Sequence, residues 1–204
     1  VHDEEDVVAE NRALIRACGA LVRENRDVLG ATRLSAIDIA AIPALYHNRP
    51  EKIAPAVAER IAAAGDRYDH IFVAYADCGT GGDLDRVIEA AGVERLPGTH
   101  CYAFFSGVEA FAARDDDMTS FFLTDFLVRQ FDSIIMKGLG IARHPELRDM
   151  YFGNYEKVVY ISQVATPALI AAAEAAAAKL NLAFEHRPVG YGDLAVALET
   201  RFPA

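Results

Sequence analysis

Two short runs, Ile71-Phe72-Val73-Ala74 and Val158-Val159-Tyr160-Ile161, are apolar at every position, without the alternation of a strand that has one wet face. Such strands must be buried on both sides, a demand met by a parallel sheet with helices over its two faces. Further runs rich in β-branched residues recur along the chain and alternate with amphipathic stretches of about a dozen residues, the rhythm of repeated βα units. The pattern predicts strands at Ala13–Ala17, Ser35–Ile42, His70–Ala76, Val93–Leu96, Ser120–Leu123, Lys157–Ser162 and Ala183–Pro188. The fold expected is α/β: a single-domain three-layer sandwich on a mostly parallel, doubly wound sheet. Residues 13–204 form the domain, and residues 1–12 are an acidic lead-in.

Helix signals fall between the strands. After Asn48-Arg49-Pro50, the spacing of Ile53, Val57 and Ile61 puts three apolar side chains on one face, and Gly65 ends the segment. Pro55, in its first turns, delays the start. Thr166-Pro167 is a cap residue followed by proline at the first helical position, and it opens an alanine-rich helix running to Asn181. Leu169, Ile170, Ala173, Ala177 and Leu180 form its sheet-facing stripe.

Charge and composition exclude several classes of function. Thirty acidic residues against twenty basic ones give a formal charge of −10, which repels nucleic acid and anionic membranes at long range. The first ten residues carry five acids and no apolar leader segment, and Ala168–Leu180 is too short and too charged to span a bilayer. Three cysteines without regular spacing do not make a disulfide framework, so a reducing, cytoplasmic setting is expected.

The chemistry-bearing residues collect where parallel sheets bind ligands, just beyond the carboxyl ends of strands. Cys18 ends the first predicted strand and His47 follows the second. Asp77-Cys78 ends the third, and His100-Cys101-Tyr102 follows the fourth. A cysteine there is often a small core residue, but all three in the chain share one sheet edge. Each precedes a predicted helix, whose N-terminal dipole favours the metal-binding thiolate form. Cys18, Cys78 and Cys101 are therefore candidate ligands for zinc or for a [4Fe–4S] cluster with one open iron. His47 or His100 would complete the shell or act in proton transfer, and Asp77 would orient a ligand or serve as base. No CxxC spacing supports this assignment. A metal-free option uses Cys78 or Cys101 as nucleophile with His100 as its base, and Cys78 is the better pairing because neighbouring residues of a helix point in different directions.

Gly79-Thr80-Gly81-Gly82 is a candidate cofactor loop offering backbone N–H groups to an anion, although Asp77, Asp83 and Asp85 crowd it and Leu84 replaces the third glycine of a dinucleotide fingerprint. Tyr102 belongs to an aromatic block, Cys101–Phe105, that reads as core or as the wall of a dry pocket over the cysteines. Lys137, Arg143 and His144 are candidates for a small anion site. His2, His70 and His186 read as surface or strand residues.

Several phrases resemble one family: Ala17-Cys18-Gly19-Ala20-Leu21, Tyr75-Ala76-Asp77-Cys78-Gly79-Thr80-Gly81-Gly82, Pro97-Gly98-Thr99-His100-Cys101-Tyr102, Phe121-Phe122-Leu123-Thr124-Asp125-Phe126-Leu127, Lys137-Gly138-Leu139-Gly140 and His144-Pro145-Glu146-Leu147-Arg148. The family is domain of unknown function 1638, and the resemblance runs from about Ala13 to Leu198. Its members are often encoded beside corrinoid-dependent methyltransferases, so the resemblance implies one-carbon chemistry. The expected function is a metal-dependent methyltransferase, lyase or accessory protein acting on a small-molecule substrate, with a corrinoid protein or methyltransferase as partner. Zinc would present a thiol substrate as its thiolate; a cluster would act as Lewis acid. The other reading is a non-catalytic protein that binds or delivers a corrinoid, although the cobalt-binding DxHxxG signature is absent.

Overall fold

The computed structural model describes residues 12–203, except for the side chain of Asp115. The acidic lead-in, apart from Arg12, and His2 lie outside the described residues. The chain runs β1 (Ala13–Cys18), a 3-10 turn (Gly19–Leu21), α1 (Val22–Arg33), β2 (Ile37–Ile42), α2 (Ile53–Ala64), β3 (His70–Ala74), α3 (Asp83–Ala91) and β4 (Glu94–Arg95). It continues through α4 (Cys101–Ser106), α5 (Val108–Ala112), β5 (Ser120–Leu123), α6 (Asp125–Arg129), a π-helix (Asp132–Lys137) and α7 (Leu147–Phe152). The last elements are β6 (Lys157–Ser162), α8 (Pro167–Leu180), β7 (Ala183–Pro188) and α9 (Gly192–Arg201).

Every strand pair is parallel, as the continuous apolar runs require. The strands form two sheets, in the orders β2-β1-β3-β4 and β5-β6-β7. β5, β6 and β7 have the bounds expected from sequence. β3 stops at Ala74 because the Tyr75 N–H turns back to the Val73 carbonyl, 2.9 Å away. β2 starts at Ile37 because Ser35 and Ala36 still close the end of α1, bonding to the carbonyls of Thr32 and Arg33.

Helices cover the sheets according to strand parity. Val73 and Tyr75 join Ile53 and Val57 of α2 and Leu84 and Ile88 of α3. Ile15, Ala17, Phe72 and Ala74, on the other face, share one core with Phe122, Val159 and Ile161 of the second sheet. Leu29 of α1, Phe104 and Phe105 of α4, and Leu194 and Leu198 of α9 complete that core. The outer face of the second sheet, Val158 and Tyr160, packs on α6, the π-helix and α8. α8 has the expected caps: the Thr166 hydroxyl accepts from the Leu169 N–H, Pro167 begins the helix, and Asn181 ends it in the left-handed conformation. α2 begins at Ile53 after a 3-10 turn over Pro50–Lys52. Among the described residues no helix is long and apolar enough to cross a membrane.

α9 approaches α4 at Gly192, whose φ is +47° and whose Cβ position is filled by the carbonyl oxygens of Phe104 and Phe105. Gly192→Ala is expected to destabilise the protein by about 2–4 kcal/mol, from backbone strain plus overpacking. Urea unfolding checks this, and an unchanged midpoint would show that the two helices do not rest on this contact.

Candidate thiol site at the ends of β1 and β3

The strand order places β1 between β2 and β3, so the connections leaving β1 and β3 go to opposite faces and open a crevice between their carboxyl ends. Cys18 is the last residue of β1, and Cys78 lies four residues beyond β3. The loop Pro97–His100 then runs beside the Asp77–Cys78 segment. Asp77 N–H donates to the Gly98 carbonyl at 3.1 Å, and Cys78 N–H to that of Thr99 at 2.8 Å. These bonds carry Cys101, the first residue of α4, to the same place.

The three thiols are close enough to act on one another electrostatically, and all are free. Burial pushes Cys78 up to about 12, with the Cys18 thiol adding to the effect. Burial raises Cys18 as well, and holds Cys101 well above the ordinary range with help from Cys78 and Cys18. The expectation of helix-stabilised thiolates is therefore corrected. Cys18 is set off from α1 by a three-residue 3-10 turn, Cys78 lies five residues before α3, and α4 has six residues. None of these gives a dipole able to offset desolvation. Tyr75, which the sequence reading did not single out, lies beneath the cluster. Its buried hydroxyl finds no hydrogen bond of ordinary geometry and interacts instead with the Cys18 thiol.

Cys78 adopts φ +52°, unusual for a residue with a side chain. Gly79, Gly81 and Gly82 continue the positive-φ loop. Its N–H groups turn inward onto Asp77: Gly82 and Thr80 Oγ1 donate to Oδ1 at 3.1 and 2.6 Å, and Gly79 and Gly81 to Oδ2 at 3.1 and 3.3 Å. Burial alone would raise the Asp77 carboxyl, but these donors outweigh it and hold the group below its usual range. The loop donors expected to meet an anionic cofactor are thus occupied by the chain's own carboxylate.

His47 is half-buried and His100 exposed, and the two act on each other. Burial, then His100, lowers the His47 pKa, which keeps the imidazole neutral at pH 7. Tyr102 stacks on Phe122 with centroids 5.2 Å apart and is tilted over His100 at 5.6 Å. His100, Tyr102, Phe111, Phe122 and Tyr155 line a pocket of about 300 Å3, so the aromatic block is core at Phe104 and Phe105 and pocket wall at Tyr102.

Among the described residues no group of three or more His, Cys, Asp or Glu side chains stands as a set that could hold a metal ion. The cysteines converge without ligating geometry. Elsewhere, Lys137, Arg143 and His144 line one pocket of about 580 Å3. His186 is tied to Ser162 at 3.0 Å and stacks on Tyr160.

Burial of neutral thiols makes two results expected. At pH 8, Cys78 should react with iodoacetamide roughly 100- to 1,000-fold more slowly than free cysteine, in step with its smaller thiolate fraction; peptide mapping after timed alkylation measures this, and a rate within about tenfold of free cysteine would contradict it. Tyr75→Phe should change stability by no more than about 1 kcal/mol in urea unfolding, because the buried hydroxyl it removes has only the Cys18 thiol to interact with.

No curated protein and no solved structure matches the chain. Residues 41–198 match the family described as protein of unknown function DUF1638, a stretch that takes in Cys78 and Cys101 and begins after Cys18. With more than half its length matched, the chain belongs to the DUF1638 family.

Proposed function

We propose that the three-cysteine cluster is the functional centre and takes up a thiophilic metal, zinc or an iron–sulfur cluster. The observation that carries this reading is the convergence of all three cysteines of the chain on the crevice between β1 and β3. Beside the Tyr75 hydroxyl and backbone hydrogen bonds, the ionisable groups acting on these thiols are one another, Glu24 and Asp77, none of them positive. A bound cation supplies the missing charge and allows the thiolates to form. The side chains must reorient to ligate, since they do not stand as a ligand set. His47, held neutral by burial, is suited in protonation state to join them.

In this reading the chain is a metal-dependent enzyme or accessory protein of methyl transfer in a reducing, cytoplasmic setting. When bound, the metal supplies activation of a thiol or polarisation of an oxygen. The chain itself supplies the aromatic pocket beside His100 and Tyr102, of a size for a small substrate. That pocket does not enclose a corrinoid macrocycle, so a corrinoid protein or methyltransferase fits better as a docking partner than a free corrinoid does as cargo.

The test is metal analysis by mass spectrometry with a visible spectrum, on protein purified without oxygen and then offered zinc, or iron with sulfide. The expected result is about one zinc or about four irons per chain, lost in Cys78→Ser. Protein that keeps its fold and retains no metal after either treatment overturns the proposal.

A further inference from the structure

A second crevice lies between the first turns of α1 and the carboxyl ends of β5 and β6. Asp125 follows β5, Gln163 and Val164 follow β6, and α1 contributes Arg23, Glu24 and Asp27. The crevice has a volume of about 170 Å3, roughly the space of five or six waters in bulk. It occupies the position at which parallel sheets bind ligands.

Glu24 makes this crevice more than a surface dent. Its side chain lines the cavity with the residue only 4% exposed, yet Oε2 has no hydrogen-bond partner. A buried carboxylate oxygen left unpaired is costly, and the structure offers no local reason to keep it. Burial raises the group to about 6, so it is largely ionised at neutral pH and waits for a donor.

Its neighbours are already engaged or set back at the rim. Asp125 accepts from the Tyr160 hydroxyl at 2.7 Å and from the N–H groups of Gln163 and Val164 at 3.1 and 3.0 Å. Asp27 accepts from the Tyr191 hydroxyl at 3.0 Å. Arg129 stands 3.6 Å from Asp125, half-exposed, with hydrogen-bonding capacity to spare. Arg23, at the rim, has no hydrogen bond or ion pair among the described residues. The carboxylate is held from one side by its own backbone N–H, and the crevice thus presents its unpaired Oε2 at the wall with two guanidinium groups beside it.

We propose that this crevice binds a small amino acid as its zwitterion, the ammonium on Glu24 and the carboxylate on Arg23 and Arg129. An ammonium supplies up to three N–H donors to the unpaired oxygen, and guanidinium groups recognise carboxylates through paired N–H bonds. A simple amine would leave Arg23 unused, and a simple carboxylate would meet Glu24 with like charge. The assignment is independent of whether the cysteines hold a metal.

Titration calorimetry of the full chain with glycine, L-alanine and L-serine tests it. Saturable binding of at least one is expected, with ethylammonium weaker and acetate not bound. Loss of one charged hydrogen bond should weaken binding roughly tenfold or more in Glu24→Gln and in Arg23→Ala. Glu24→Gln removes a buried unpaired charge, so its melting temperature should rise, which also shows that it folds. Arg23 is exposed, so its variant keeps the test open if the first fails to fold. No saturable binding of any of the three amino acids overturns the proposal, as does unchanged affinity in folded Glu24→Gln. Ethylammonium binding as tightly as the amino acids overturns the zwitterion assignment.

Discussion

β1 is hydrogen-bonded along both edges, to β2 and to β3, and its Leu14, Ile15 and Ala17 are almost wholly buried. A strand held this way leaves its chain direction little freedom, because Ala13–Ala17 are paired in register on both sides and most of the strand is buried. The divergence of α1 and α3 to opposite faces follows, and with it the gap that receives Cys18 and Cys78. The Asp77–Cys78 segment then extends this order past the end of β3 by bonding to Gly98 and Thr99, a pairing too short to count as strand but sufficient to fix Cys101.

The low dielectric that gathers the thiols also decides their chemistry. Three ionisable groups of one kind share a space in which each opposes the ionisation of the others, and no basic side chain figures among their main influences. Asp77 shows the opposite outcome a residue away, since four inward donors satisfy it completely enough to keep it charged. Neighbouring residues in one loop therefore differ in charge state because of hydrogen bonds, not because of depth alone.

Much of this was legible in the sequence. The apolar runs of β3 and β6 and the Thr166-Pro167 cap carry local signals, and the structure reproduces them. The gathering of cysteines at one sheet edge followed from the strand order that such units adopt. The division into two sheets was not legible, because the pattern of a strand says how many faces are buried but not which strand lies beside it. β4 shrinks to two residues since its apolar run is used to pack Leu96 and to start the loop toward α4. Glu24 escaped notice because a charged residue in the first turn of a helix ordinarily faces water. Its place one turn beyond the end of a central strand was the signal that marked it.

α4 has six residues, fewer than two turns, with Cys101 at one end and the carbonyls of Phe104 and Phe105 pressed on Gly192 at the other. So short a rod cannot bend between its ends. A pull on Cys101 would swing Phe104 and Phe105 within a core that touches both sheets, and α9 would be levered with them. Cys101 is thus tied mechanically to the core shared by the two sheets, and its position and that of α9 are set together.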